Sequence, residues 1–516
     1  MKPRFTTIFL PGILRFGDKM IELNGDSLAL EQAEKVVFFG EPVEVSREAR
    51  SKVEQAAERV EEVVSAGTPV YGINTGFGRL STESIPNDRL RELQRNIVHS
   101  HSVGVGEPLP EAAVRAMMLF RVNSLLKGMS GIRPGTIDYL TAMLNRGIHP
   151  VVPAQGSVGS SGDLAPLAHI ALVLIGDGEA IDHGERISGK EALKRIGRPP
   201  LDLAPKEGLA LLNGTQYMTG LGFLVYVYGM RVLNAAVGAA AMSLEGLRGF
   251  SAPFLPQMHT ARPHPGQMRI ASAIRGLIAG SSLIDATDDD VQDAYSLRCI
   301  PQVLGPAWEA LAFLREKLEI EINSATDNPL LFPDGAIASG GNFHGEIIGL
   351  ALEMATLALA EVGSIAERRI DRLLNSPHRG LPPFLVEERG IKSGFMLAQY
   401  TAAALVSENK VLCHPALADS IPTSGGKEDH NSMASISARK GVKVCNNLAN
   451  IVAIEYLCAA QALDFQGPER AGERVRMLHE RVRAYSPHLE RDRSLSPEIV
   501  RMGEAVLKGE IIDGIV

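Results

Sequence analysis

The stretch GSVGSSGDLAPLAH, residues 156–169, holds three glycines and three serines in its first seven positions, just ahead of a proline and an apolar run. Phosphate-binding loops fit it badly. A Walker loop carries Lys after its last glycine, where Asp163 stands here and would repel phosphate. The dinucleotide fingerprint G-x-G-x-x-G is absent, and no serine has glycines two residues away on both sides, as a hydrolase elbow requires. Another chemistry does fit. The amide nitrogen of Gly162 can attack the carbonyl carbon of Ser160 and close a five-membered ring, a step that glycine favours because it lacks a Cβ and tolerates strained dihedrals. Loss of water from the ring and from the Ser161 side chain leaves a methylidene-imidazolone, a strong electrophile made without an external cofactor. The same letters also suit a flexible or tight-turn segment.

Other residue types suited to chemistry are scattered. Tyr71 sits in GTPVYGINTGFGRLS (67–81), a loop-like stretch with four glycines. Its plainest reading is a turn aromatic covering core. A phenol titrates near 10 and must be lowered toward operating pH to act as a base. Asn213 precedes Gly214, itself a turn signal. Arg298 could be a surface charge, yet its planar fork suits a carboxylate, and Tyr295 lies on the same side if the segment is helical. His169, His344, His414 and His430 are far apart in sequence and no H-E-x-x-H or C-x-x-C accompanies them, so no metal site is read.

The elements that must position these residues read as helices. Residues 45–66, 88–100, 110–127 and 136–145 have helical periodicity, and 347–375, 393–412 and 441–463 are long apolar helical stretches. The first of those three, at about 1.5 Å per residue, would span roughly 44 Å. Its N-terminal part is apolar nearly all round and should be buried among other helices. Residues 178–208 read as a polar surface excursion. The expected fold is all-α, a long central helical bundle with a smaller N-terminal part carrying the glycine-serine loop. The division expected is 20–215 for the N-terminal active-site domain and 216–516 for the bundle and C-terminal helices. Helices this apolar need neighbouring subunits to cover them, which points to a homo-oligomer.

Composition bounds the rest. Of the 516 residues, 45% are hydrophobic and only 5% aromatic, which favours helices over sheets. The net charge of −8 argues against nucleic acid or an anionic membrane as partner. No window of about 18 uninterrupted apolar residues occurs, so no transmembrane helix is read. The four cysteines, without C-x-x-C, suit a reducing cytoplasm. The basic start has no evident cleavage site, and Met20 reads as the more ordinary beginning, making 1–19 a mis-assigned extension.

From about residue 20 to the C-terminus the sequence resembles the aromatic amino acid ammonia-lyases. The motifs that carry the resemblance are YGINTGFG (71–78), GSVGSSGDLAPLAH (156–169), LLNGTQ (211–216), VQDAYSLRC (291–299), SGGNFHGE (339–346), LPPFLVE (381–387) and KEDHNSM (427–433). The resemblance implies an all-α fold, a homotetramer with active sites shared between subunits, and the imidazolone formed from Ser160, Ser161 and Gly162. It implies that Tyr71 removes a β-proton, Arg298 binds the substrate carboxylate, and Tyr295 lines the electrophile. Gln292 becomes a polar contact, Asn213 a hydrogen-bond partner of the imidazolone or the amino group, and Phe343 a cover over the ring. Ser100 and His101 stand where family members acting on histidine carry Ser-His, and Glu428 where those members carry glutamate. A carboxylate can accept an imidazole N–H, which a phenyl ring cannot offer. The implied activity is deamination of L-histidine to trans-urocanate and ammonia, the first step of histidine degradation. The alternatives are a tyrosine or phenylalanine lyase, a 2,3-aminomutase, or a non-catalytic helical assembly protein. One departure stands out: the family's usual triad is Ala-Ser-Gly, and here Ser160 replaces the alanine.

Overall fold

Apolar residues at three- and four-residue spacing make the helices. Ala49, Val53, Ala56 and Val60 give the Arg47–Ala66 helix one buried stripe. The Ser46 hydroxyl caps it, accepting from the Ala49 amide at 3.1 Å, and Gly67 ends it with φ +70°. The computed structural model describes residues 20–286, 290–388 and 390–515. The reading of 1–19 as a mis-assigned extension lies outside them. The next three expected helices form as Leu90–His101, Glu111–Leu125 and Pro134–Arg146, the last with proline in its first turn.

The core is a bundle of three long helices, Gln216–Gly246, Glu346–Leu374 and Ala434–Gln466, joined by Ile300–Glu321. A fully buried carboxylate fixes their register. Glu455 accepts from Arg369 at 2.6 and 2.9 Å and from the Ser243 hydroxyl at 2.8 Å, one group from each long helix. All three helices are long and apolar enough to cross a membrane. The search for unbroken apolar runs passes over them because isolated polar residues interrupt each one. Here they bury one another: 72% and 83% of the apolar windows of the first and third lie inside the fold, against 50% for the second. The open half of Glu346–Leu374 presents Ile347, Leu350, Met354 and Leu357, a stripe at helical spacing.

Strands are few and short. Residues Ile148–Pro150, Glu179–Asp182 and Glu185–Ser188 form a three-stranded antiparallel sheet. The polar stretch expected as a surface excursion is therefore partly ordered as a hairpin, followed by the helix Gly189–Arg195.

Beyond the bundle, Asp464 gathers the C-terminal helices. Its carboxylate accepts from His479 Nε2, His488 Nδ1 and Arg483, each at 2.6 Å. Burial pushes this carboxyl up, but His479 and Arg483 outweigh it and hold it down at about 2. A depressed carboxyl stabilises the fold above its unfolded value, and that contribution is lost as pH falls through the folded value. Asp464→Asn should therefore cost about 1–3 kcal/mol at neutral pH, discounted for partial exposure. Urea unfolding checks it, and the wild-type advantage should shrink between about pH 4 and pH 2.

Candidate active site

The glycine-serine loop runs from the strand Pro153–Gln155 into the helix Leu164–Leu174. Ser161 and Gly162 both have positive φ, +57° and +76°. That is costly for serine and marks stored strain. A Cβ on Gly162 would lie 2.2 Å from the Gly214 amide nitrogen, so only glycine fits there. The next residue anchors the loop. The Asp163 amide donates to the Gly214 carbonyl at 2.7 Å. Its buried carboxylate accepts from the Tyr217 and Met218 amides, at the start of the Gln216–Gly246 helix, and from the Ser157 hydroxyl. Burial nevertheless pushes that carboxyl up to about 7.

The loop is also tied to residues far along the chain. The Met433 amide donates to the Val158 carbonyl at 2.8 Å and the Gly345 amide to Gly159 at 3.0 Å. The Ser432 hydroxyl donates to the same Gly159 carbonyl at 2.6 Å, and the Ser435 hydroxyl to Ser157 at 2.6 Å. Ser160, the departure from the family triad, is buried with its hydroxyl accepting from the Ser432 amide at 2.9 Å. The extra oxygen thus has a partner.

A cavity of about 420 Å³ opens over this loop, and Tyr71, Ser160, Ser161, Asn213, Phe343 and Glu428 line it together. Asn213 caps the end of the helix Glu207–Leu212, and its Oδ1 is buried without a hydrogen-bond partner. An orphaned acceptor in a cavity wall is a place for a ligand's donor. The Tyr71 hydroxyl accepts from the Gly78 amide at 3.4 Å. Burial pushes its phenol up, and the charges of Glu428 and Asp327 push it further. The hydrogen bond from Gly78 acts the other way, and burial outweighs it. Glu428 accepts from the Thr423 hydroxyl at 2.6 Å. Burial holds the His101 imidazole below its ordinary value, while the Glu428 charge opposes this. Ser100, exposed at the end of its helix, meets His101 Nδ1 at 3.0 Å.

The remaining expected residues gather elsewhere. Gln292, Tyr295 and Arg298 line a second cavity of about 500 Å³ with Asp290, Asp293, Arg372 and Arg379. Arg298 donates to Gln292 at 2.9 Å and stacks 4.5 Å from the Tyr295 ring centre. The helical turn Tyr295–Arg298 makes this stacking possible. Tyr295 is 71% exposed, and Val291 is fully so. The candidate residues thus divide between two cavities that a single chain does not unite, and Ser100 and His101 line neither of them.

The histidines are far apart in sequence, and no metal site is read from their spacing. Two of them meet in space: the His344 and His430 rings lie nearly parallel with centres 5.9 Å apart, beside the Glu346 carboxylate. They are separated by 86 residues, so no spacing rule reveals them. Their one sequence signal is membership of the SGGNFHGE and KEDHNSM motifs. Asp163 and Ser432 also escape a search for catalytic types, because their work is to hold the loop.

A model described as aromatic amino acid lyase matches residues 28–484. A histidine ammonia-lyase from Natranaerobius thermophilus is 46% identical over 496 residues, 96% of this chain and 98% of that protein. The solved histidine ammonia-lyase of Trypanosoma cruzi superposes with a TM-score of 0.89 at 42% identity, covering 96% of this chain and 95% of that one. A tyrosine aminomutase from Streptomyces globisporus superposes at 0.91 with 39% identity, covering 96% and 98%.

Proposed function

Because the chain belongs to the aromatic amino acid lyase family, we propose that it converts L-histidine to trans-urocanate and ammonia, opening histidine degradation. The observation that carries this reading is the cavity that brings Tyr71, Ser161, Asn213 and Glu428 together, with the Glu428 charge acting on His101. Glu428 and His101 pair with the imidazole nitrogens of the substrate, Phe343 closes over it, and Tyr71 takes the β-proton. Arg298, with Gln292 beside it, binds the carboxylate through its fork.

The loop fits the methylidene-imidazolone. Gly162 is held where no Cβ is tolerated, Ser161 is strained, the Ser160 hydroxyl is engaged with Ser432, and the orphaned Asn213 Oδ1 offers a contact. The ring supplies an electrophile that makes the amino group a better leaving group. Intact mass of an active preparation should be lighter than the sequence by two waters; the full sequence mass would refute the ring.

The protein works as a homotetramer with shared sites. Two features support this: the separate cavities of Tyr71 and Arg298, and the uncovered stripe Ile347, Leu350, Met354 and Leu357. The partners are therefore its own copies and a small amino acid, with no nucleic acid or membrane. Ser161→Ala and Arg298→Ala are each expected to be inactive alone. Co-expressed, they should recover activity, roughly a quarter of wild type if subunits mix at random. No recovery would mean that each chain builds its own site. Its cysteines are free thiols, with Cys445 and Cys458 buried, which suits the cytoplasm.

The aminomutase likeness supports a second reading, in which ammonia returns to the β-carbon. Substrate choice separates the two. Glu428→Gln should cost about 2–3 kcal/mol on histidine, roughly 30- to 150-fold in kcat/KM. A variant with unchanged preference between histidine and phenylalanine, or a β-amino acid product from wild type, would favour the second reading.

A further inference from the structure

The groups at the mouth of the Tyr71 cavity carry more than the lyase reading uses. One ligand atom each from His344, Glu346 and His430 lie within 4.8 Å of one another. Two imidazoles and a carboxylate are the donor set of a borderline divalent ion such as Zn²⁺ or Co²⁺. A tetrahedral ion with bonds of about 2.0–2.2 Å holds its ligand atoms roughly 3.3–3.6 Å apart. Any closure the ion requires can come from rotation of the exposed Glu346 and His430 side chains.

The surroundings favour a ligand role. The His344 ring is held by the His430 main-chain carbonyl at 3.2 Å from Nε2. A carbonyl only accepts, so Nε2 carries the proton and Nδ1 keeps the free lone pair. Metal-bound histidines hold their rings by this kind of bond. Among the described residues, the His430 ring makes no hydrogen bond and the Glu346 carboxylate no ion pair. Their backbones are fixed: Glu346 opens the 346–374 helix, and the His344 amide donates to Gly341 at 2.9 Å.

We infer that His344, Glu346 and His430 form a binding site for one divalent transition-metal ion, which ties the Phe343 side of the cavity to the Glu428 side. Both histidines line the cavity. An ion there narrows substrate entry, so occupancy should slow turnover. That consequence rests on the proposed lyase reading; binding of the ion does not.

The test reads binding on the full-length protein without histidine, which itself chelates metals. Metal-free protein is titrated with Co²⁺, followed by its visible absorption, and with Zn²⁺ against a chromophoric chelator. One ion per chain is expected, with affinity at least tenfold weaker in both Glu346→Gln and His344→Gln. Glu346 is exposed, so its variant keeps the test valid if His344→Gln fails to fold. Absence of binding, or affinity unchanged in Glu346→Gln, overturns the site. Binding by a protein that leaves histidine untouched would refute the lyase reading and leave the site standing.

Discussion

Ser161→Ala should fold into the same helical bundle and lose nearly all turnover, on the order of 10⁴- to 10⁶-fold, as when the nucleophile of a covalent catalyst is removed. The fold survives because Ser161 contributes a strained backbone rather than packing, and alanine at φ +57° is no worse than serine. The loop keeps its ties to Gly214, Ser432 and Met433, none of which uses the Ser161 side chain. What disappears is the hydroxyl whose loss as water would create the exocyclic double bond of the proposed ring. Circular dichroism should match wild type while intact mass shows at most one dehydration. A variant retaining a tenth of wild-type kcat would show that the electrophile is not drawn from this serine.

Tyr71→Phe should lower kcat by about 10²- to 10⁴-fold, the range for removing a general base, with little change in KM. Phenylalanine fills the same space, and among the described residues the only hydrogen bond lost is the long one from Gly78. Burial and two carboxylates push the wild-type phenol up in the isolated chain. A base in that state is mostly protonated at neutral pH, so activity should rise with pH toward the phenol's titration. If a neighbouring subunit brings the Arg298 guanidinium to Tyr71, as proposed, that limb should move to lower pH. The rising limb should vanish in Tyr71→Phe. A profile of unchanged shape in the variant would assign the proton to another group.

The helices were legible because their faces are periodic. Arg47–Ala66 and Glu346–Leu374 form within a residue or two of where the apolar pattern places them. Ala434–Gln466 begins seven residues earlier than its pattern, which starts at 441. The reason is local: Ser435 and Ser437 face partners rather than solvent, bonding Ser157 and Glu353, so polar letters continue a buried helix. The hairpin at Glu179–Ser188 was hidden because its strands are four residues long and mostly polar. At the site, residue types were readable and their grouping was not. Arg298 and Tyr295 meet as helical spacing requires. That Arg298 and Tyr71 face different cavities, and that His344 meets His430, depends on long-range packing that no local pattern encodes.

The stitches between the glycine-serine loop and Ser432–Met433 bear on when the enzyme becomes itself. Ser160 and Ser432 are 272 positions apart. A ribosome adding about 5–20 residues per second needs on the order of 15–50 s to travel between them. Throughout that interval the loop lacks the strand of backbone that holds its carbonyls and the Ser160 hydroxyl. The compression that sets Gly162 against Gly214 is then only half built. On the proposed reading, a nascent chain should therefore carry three unreacted residues there until those contacts form. Ring closure should follow the docking of Ser432 and Met433 at the head of the last long helix, so the completed bundle would license its own electrophile.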